Sequence, residues 1–431
     1  QTIEYSAEWI PAIGARFSLM LDGISLMLTL LSAIVLPLII YASFNRDYPD
    51  RHVLYALILL MDAAMAGAFI AADGFLFYLC WEIALLPIYF ICLKWGGENR
   101  QKITLKFFLY TMLGSLFMLF SFIYVFLHVP ERSFDLQAMY AAGRNLPVDE
   151  QGIVMAGIFL AFAVKMPIFP FHTWQPETYY TAPTPGAMLL SGVMLKMATY
   201  GMIRWLIPVV PQGVAEYGMI AATLSVVSIL YASYISIVQK DYKRLIAFAS
   251  IAHVGLISAG LFSMSVQGLQ GGLIQMLSHG ITTVGLFFVY DIIVLRTGTS
   301  EMDRLGGIRS IDPRLAFLFF IIILSAVSLP FTSGFVGEFL LIISLFKFSK
   351  ILGALAGISI ILGVVYMFRA FQKMMLGEMK AETVEYEKQT RQESIVLFLV
   401  CIFIVWFGVY PKPILAITES SVIQLLESLP K

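Results

Sequence analysis

The stretch Gly152–Trp205 reads GIVMAGIFLAFAVKMPIFPFHTWQPETYYTAPTPGAMLLSGVMLKMATYGMIRW, and its reading decides the fold. An apolar helix carries Lys165 to a break at Pro167 and Pro170, a proline-rich turn follows, and a second apolar helix carries Lys196. The spacing, 196 − 165 = 31 residues, predicts two antiparallel helices with both lysines at similar depth. A charge at the centre of a membrane helix costs roughly 2.5–3.5 kcal/mol on insertion scales, so such a residue reads as functional by default. Proline donates no hydrogen bond, so Pro167 is expected to free the carbonyl of Ala163 and Pro170 that of Met166. Broken backbone at membrane depth is tolerated only where it is buried in protein or faces water. The pattern therefore predicts a hydrated spot inside the membrane. The competing reading is a kinked structural helix whose lysine snorkels to the surface.

The 431-residue chain as a whole is as apolar, 59% hydrophobic and 13% charged, with a net charge of zero. Its mean hydropathy is +0.84. These values define an all-α polytopic membrane protein, and the charge balance offers no footprint for nucleic acid. About twelve transmembrane spans are expected, at 19–43, 53–72, 75–94, 104–128, 152–170, 184–207, 215–238, 243–263, 268–295, 314–346, 351–375 and 394–411. Residues 1–18 are mixed and expected outside the bilayer. Residues 413–429 form an amphipathic tail, apolar at Ile414, Leu415, Ile417, Val422, Leu425 and Leu426, expected along the membrane surface or against a neighbour. Cys80, Cys92 and Cys401 lie within apolar runs without metal-ligand spacing and read as packing residues. No signal peptide is expected at the start. Loops rich in Lys and Arg, such as 94–106, 240–244, 296–314 and 373–391, alternate with nearly charge-free ones, which is expected to place the basic loops in the cytoplasm.

An internal echo suggests how the chain is organised. KMPIFPF at 165–171 and SLPFTSGF at 328–335 both break a span beside an ionisable residue, Lys165 in one case and Glu338 in the other. Pro330 is the break-forming proline of the second. The two breaks are expected five spans apart, which reverses their orientation and fits two inverted five-helix repeats with broken helices, a recurrent transporter device. The expected divisions are 1–52 for an N-terminal segment and first span, 53–207 and 208–375 for the repeats, and 376–431 for the last span and tail.

Further ionisable residues fall within spans. Glu82 sits mid-span with Pro87 five residues on, and a lysine neighbour would couple its titration to a proton switch; a structural ion pair is the alternative. His253 and His279 lie in consecutive spans, where imidazole can accept a proton on one nitrogen and release one from the other. Packing histidines, or a pair of haem ligands, are the alternatives. Ser250, Ser278, Thr282 and Thr283 supply hydroxyls that could order water. His172, just after the Pro170 break, reads as a gating residue or a capped turn. Lys243 and Arg244, at a helix start, read first as topology signals, with gating a second role for Lys243. Glu338 reads as a terminal proton-exchange site. Glu82, Lys165, Lys196, His253, His279 and Glu338 occupy six spans, a row that describes a proton path partly within the membrane plane. No metal site, nucleotide loop or nucleophile–base motif is legible.

At these residues the chain resembles the antiporter-like subunits of respiratory complex I, NADH–quinone oxidoreductase, and within them the subunit M branch. The motifs are DGIS at 22–25, WEIALLPIYF at 81–90, KMPIFPFHTWQP at 165–176, APTPGAMLLSGVMLK at 182–196, DYKRLIAFASIAH at 241–253 and SGFVGEF at 333–339. The resemblance implies a coupled Glu82–Lys165 pair, Lys196 bridging toward the centre, His253 and His279 crossing the central axis, and Glu338 exchanging with the outer side. Sister subunits usually carry lysine at the last position, so Glu338 favours subunit M. The resemblance also implies proton translocation driven by quinone reduction elsewhere in the assembly. FMN, iron–sulfur clusters and quinone would be held by other subunits, and no cofactor by this chain. Its implied partners are two sister antiporter-like subunits and a lateral amphipathic helix. The family has about fourteen spans, so two are expected before Gln1. The alternatives from other classes are a subunit of a multisubunit Na+/H+ antiporter and a non-conducting membrane scaffold.

Overall fold

The computed structural model describes residues 2–430, and almost all regular structure in it is helical. The exception is an antiparallel hairpin, β1 (Ile3–Ile10) with β2 (Ala15–Leu21), in which Ile3 pairs with Leu21. Alternation at Ile3, Tyr5 and Trp9 matches the two-residue period of a strand. The hairpin corrects the expected start of the first span. Backbone to Leu21 is extended, Asp22 then accepts hydrogen bonds from the amides of Ile24 and Ser25, and α1 runs Gly23–Ser43 rather than from residue 19.

The further helices are α2 (Arg51–Ile70), α3 (Gly74–Ile83), α4 (Leu85–Trp95), α5 (Arg100–His128), α6 (Leu136–Arg144), α7 (Val148–Lys165), α8 (Gln175–Thr181), α9 (Thr184–Leu206), α10 (Pro211–Val238), α11 (Tyr242–Leu261) and α12 (Val266–Thr297). There follow α13 (Pro313–Ala326), α14 (Ser333–Phe348), α15 (Lys350–Met375), α16 (Arg391–Val409) and α17 (Lys412–Glu427). Among the described residues ten helical segments are long and apolar enough to cross a membrane. The two expected spans outside that set are α7 and the α13–α14 pair, the two broken ones, so 10 + 2 restores twelve.

The interior is a trio. The apolar window of α9 is wholly buried, and those of α12 and α11 are 89% and 83% buried, whereas most other spans keep half or more of their windows on the outside. In lipid, the outer face of a span can stay apolar, so the polar and charged residues collect on the enclosed helices. α12 is the hub, packing on α1, α9, α11, α14 and α16. Close approach to α9 is set by glycine: a Cβ on Gly280 would stand 2.7 Å from the carbonyl oxygen of Gly192.

The tail packs on neighbouring helices of the chain. Ile414, Thr418, Val422 and Leu425 of α17 are buried against this chain's own α1 and α12. The Gly23 amide donates to Ser421 Oγ at 3.0 Å, and Gln270 Nε2 to the Leu415 carbonyl at 3.3 Å. The apolar stripe of 413–429 thus covers the bundle itself, because Gly23 leaves room for the helix backbone to sit directly on the start of α1.

Candidate functional site

α7 ends at Lys165, 1% exposed, and the chain turns at Met166. The carbonyl that Pro167 was expected to free is not orphaned: Ala163 accepts from the Ile168 amide at 2.8 Å. Trp174 Nε1 takes the neighbouring Val164 carbonyl at 2.8 Å, and Ser228 Oγ accepts from the Phe169 amide. The carbonyls of Ala163 and Val164 are thereby satisfied inside protein, as backbone at that depth must be. The second break is built alike. α13 stops at Ala326, the Leu329 amide reaches the Leu324 carbonyl at 2.9 Å, and Thr332 Oγ1 donates to the Leu329 carbonyl at 2.6 Å.

Lys165 Nζ lies 3.3 Å from the Trp81 carbonyl and 3.7 Å from the centroid of the Trp81 ring. A buried ammonium over an indole face is strongly held, by about 2 kcal/mol or more when desolvated. Glu82 is the next residue, with Tyr78 and Ser115 as polar neighbours and Oε1 without a partner among the described residues. The carboxylate and Lys165 are close in the fold but form no ion pair within 4.0 Å. Pro87 removes the donor for the Ile83 carbonyl, and the span divides just after Glu82 into α3 and α4. Trp81 was not singled out by sequence reading; as one aromatic among many it carries no signal of its own.

Lys196 sits in α9 between two wide π turns, Leu190–Met194 and Met202–Leu206. Such turns occur often at functional sites. Lys196 Nζ lies 2.5 Å from the Ser191 carbonyl and 2.7 Å from His279 Nδ1. The His279 and His253 rings are 5.7 Å apart, and His253 Nδ1 is 2.7 Å from Glu338 Oε1. Gln275 Nε2 donates to the same oxygen at 3.2 Å. The four ionisable residues are therefore contiguous in the order Lys196, His279, His253, Glu338. When Lys196 is the ammonium it only donates, so that in this state His279 Nδ1 is the acceptor and the ring proton is on Nε2. That Nε2 has no protein partner. His279 lines a small cavity of about 10 Å³ shared with Ser250, His253, Gln275, Ser278 and Thr282. This is about the space one water centre needs, and the lining supplies the polar partners a water requires. Ser278, Ser333, Ser325 and Thr282 continue as a hydroxyl cluster, bonded at 2.8, 3.3 and 2.9 Å in turn, from α12 to the second helix break.

The two gating candidates lie apart from this row. His172 is buried between Phe169 and Tyr231, with ring centroids at 5.7 and 4.9 Å, and its Nδ1 is unpartnered. Lys243 is 3% exposed and donates to the carbonyls of Tyr180 and Ala182 at 3.0 and 2.6 Å, with the Tyr290 ring 4.9 Å away. That corrects its reading as a topology signal: α11 begins packed against the end of α8, so the ammonium points inward. Arg244, its neighbour, stays outside over Tyr180 at 4.6 Å.

Sequence reading missed three ion pairs, the first buried and the other two part-buried. Arg204 bonds both carboxylate oxygens of Asp22 at 2.7 Å, Arg46 bonds Asp291 at 2.7 Å, and Arg296 bonds Glu393 at 2.6 Å. Each joins residues more than 90 positions apart, so no local spacing could reveal it.

Comparisons with known proteins agree with this architecture. The family described as NADH:quinone oxidoreductase/Mrp antiporter, TM, matches residues 71–363, which span both helix breaks and all six residues of the row. NADH-quinone oxidoreductase subunit M of Rickettsia typhi is 38% identical over 421 residues, covering 97% of this chain and 84% of that protein. NADH-ubiquinone oxidoreductase chain 4 of Arabidopsis thaliana is 33% identical over 426 residues, covering 98% of this chain and 85% of that protein. A chain of respiratory complex I from Thermus thermophilus superposes with a TM-score of 0.92 at 31% identity, over 99% of this chain and 90% of that one. A chain of the Mrp complex from Dietzia shares the fold, with a TM-score of 0.88 at 19% identity over 99% of this chain and 88% of that one. Matches of this length and identity, on a bundle with broken helices and enclosed lysines, show that the chain belongs to the NADH:quinone oxidoreductase/Mrp antiporter family of membrane subunits.

Proposed function

We propose that this chain is the proton-translocating antiporter-like subunit M of complex I, and that the row of enclosed ionisable residues is its proton path. The observation that carries the reading is two hydrogen-bonded pairs in line, Lys196–His279 and His253–Glu338, whose imidazole rings stand 5.7 Å apart beside a small polar cavity. A proton leaving the Lys196 ammonium is accepted by His279 Nδ1, and His279 releases its Nε2 proton to the cavity. His253, whose Nδ1–H faces the Glu338 carboxylate, takes a proton on its free Nε2 and passes the other to Glu338. Each transfer leaves the imidazoles in the opposite tautomer, so the path needs a resetting step between protons.

The first half of the path is Glu82 and Lys165. No hydrogen bond joins Lys165 to Lys196 among the described residues, so water or a helix movement bridges them. The breaks at Pro167, Pro170 and Pro330 supply hinges, with His172 as a gating residue beside the first break and Lys243 as one at the end of α8. Moving one charge against 100 mV costs about 2.3 kcal/mol, which quinone reduction in another part of the assembly supplies. FMN, the iron–sulfur clusters and quinone belong on this reading to other subunits. The neighbours are two sister antiporter-like subunits and a lateral amphipathic helix, in a bacterial inner membrane with the basic loops cytoplasmic. The two halves, 53–207 and 208–375, act as inverted repeats, each with one broken helix.

The test is NADH-driven proton pumping in membrane vesicles, comparing wild type with Lys165→Ala, with assembly and quinone reduction checked in parallel. Lost pumping in an assembled complex is expected; full pumping would make the charge structural. Because the family also includes Mrp antiporters, sodium dependence of transport without coupling to NADH would instead favour a Na+/H+ antiporter subunit.

A further inference from the structure

Three apolar grooves open among the outer helices, and one differs from the others in charge. The grooves between α5 and α7, about 490 Å³, and between α7 and α10, about 370 Å³, include Glu150 and Asp149 respectively in their linings. The groove between α13 and α16 is about 520 Å³, within the range of ligand clefts. Its walls include Phe317 and Phe398, 64% and 58% exposed, and its end carries Arg314 and Arg391. Both arginines stand in the first turns of their helices, and the two helix starts are tied by the Gln389 amide donating to Asp312 Oδ2 at 2.6 Å.

Two other arginines near that end are paired. Arg296 is bound to Glu393 and Arg304 to Glu382. Asp312 caps α13 through the Leu315 amide. Arg314 and Arg391 take part in no ion pair or side-chain hydrogen bond among the described residues, and the side-chain Nε2 and Oε1 of Gln389, beside them, have no partner either. Two unmatched guanidiniums and an unpartnered amide stand at the end of an apolar slot on a membrane-spanning face. Guanidinium binds phosphate oxygens in pairs, and basic pockets where helices leave the bilayer suit anionic head groups.

We propose that the α13–α16 groove is a binding site for an anionic phospholipid. One acyl chain lies between Phe317 and Phe398, the phosphate sits against Arg314 and Arg391, and Gln389 completes the head-group contacts. The carboxylates of the other two grooves disfavour the same ligand there.

The experiment uses the intact purified complex in bilayers of phosphatidylcholine with spin-labelled phosphatidylglycerol or, separately, spin-labelled phosphatidylcholine as the probe. Wild type and Arg314→Gln/Arg391→Gln are compared for the fraction of label immobilised. Each arginine near a membrane surface contributes roughly five-fold in binding to anionic lipid, so the double variant is expected to lose preference for phosphatidylglycerol at this site. Phe317→Ala, which leaves the arginines, is expected to reduce immobilisation of both labels. Unchanged preference in the double variant overturns the proposal. So does loss of a neighbouring subunit from the double variant with lipid preference retained, which would make the groove a protein interface.

Discussion

At the scale of the residue, the proposed path depends most on Trp81 and the two histidines. Trp81 holds Lys165 by both its carbonyl and its ring. A leucine in its place keeps the carbonyl and removes the ring, so the ammonium loses about 2 kcal/mol of attraction and is freer to move toward Glu82. Trp81→Leu is expected to lower pumping per quinone reduced by several-fold, and Trp81→Phe, which keeps a ring, by less. Equal pumping in both variants and wild type would remove Trp81 from the path. The contact order makes a second prediction. Residues in series fail as a unit, so His253→Ala, His279→Ala and the double variant are expected to lose pumping to the same extent. Additive losses would mean two parallel routes. Glu82→Gln keeps the shape and removes the charge; retained full pumping in the assembled complex would exclude a role in transport.

The same scale shows what the sequence made legible. A lysine or glutamate inside an apolar run has few bland explanations, which is why Lys165, Lys196 and Glu338 stood out. The order in which His279 precedes His253 depends on how α11 crosses α12, and no spacing encodes that. The buried pair Arg204–Asp22 joins residues 182 positions apart, and each alone resembles an ordinary helix-end charge.

At the scale of the element, breaks and glycines set the distances. Prolines announced both broken helices, but not their repair. The sequence does not say that Ile168 and Trp174 will satisfy the carbonyls of Ala163 and Val164, because those bonds depend on the turn that follows. The π turns around Lys196 were not legible either, since their wider winding leaves no distinct apolar period over five residues. Gly280 tests the importance of spacing. A Cβ there would lie 2.7 Å from the Gly192 carbonyl and 2.8 Å from Leu31, so Gly280→Ala must part α9 from α12. His279 and Lys196 are on those two helices, 2.7 Å apart. The variant is expected to assemble with reduced thermal stability and to pump poorly while quinone reduction continues. Pumping equal to wild type would show that the Lys196–His279 contact tolerates the shift.

At the scale of the whole molecule, the two ends of the described chain close on one another. α17 lies on α1 and α12, and the Gly23 amide is bound to Ser421 Oγ. Asp22, one residue earlier, caps α1 and binds Arg204 at the end of the lysine-bearing helix α9. The tail, the first span and the central helix are thus joined at one point, within two residues. Removing one partner of a buried ion pair costs about 3–5 kcal/mol, because the other charge is left uncompensated. Asp22→Asn is therefore expected to lower the thermal midpoint of the detergent-solubilised complex and loosen α17, seen as faster proteolysis in residues 412–427. Ser421→Ala removes only the hydrogen bond to Gly23, worth about 1 kcal/mol, and is expected to loosen the tail without destabilising the bundle. If Asp22→Asn leaves the tail protected, the junction is not a single cooperative unit and α17 is held by its apolar stripe alone.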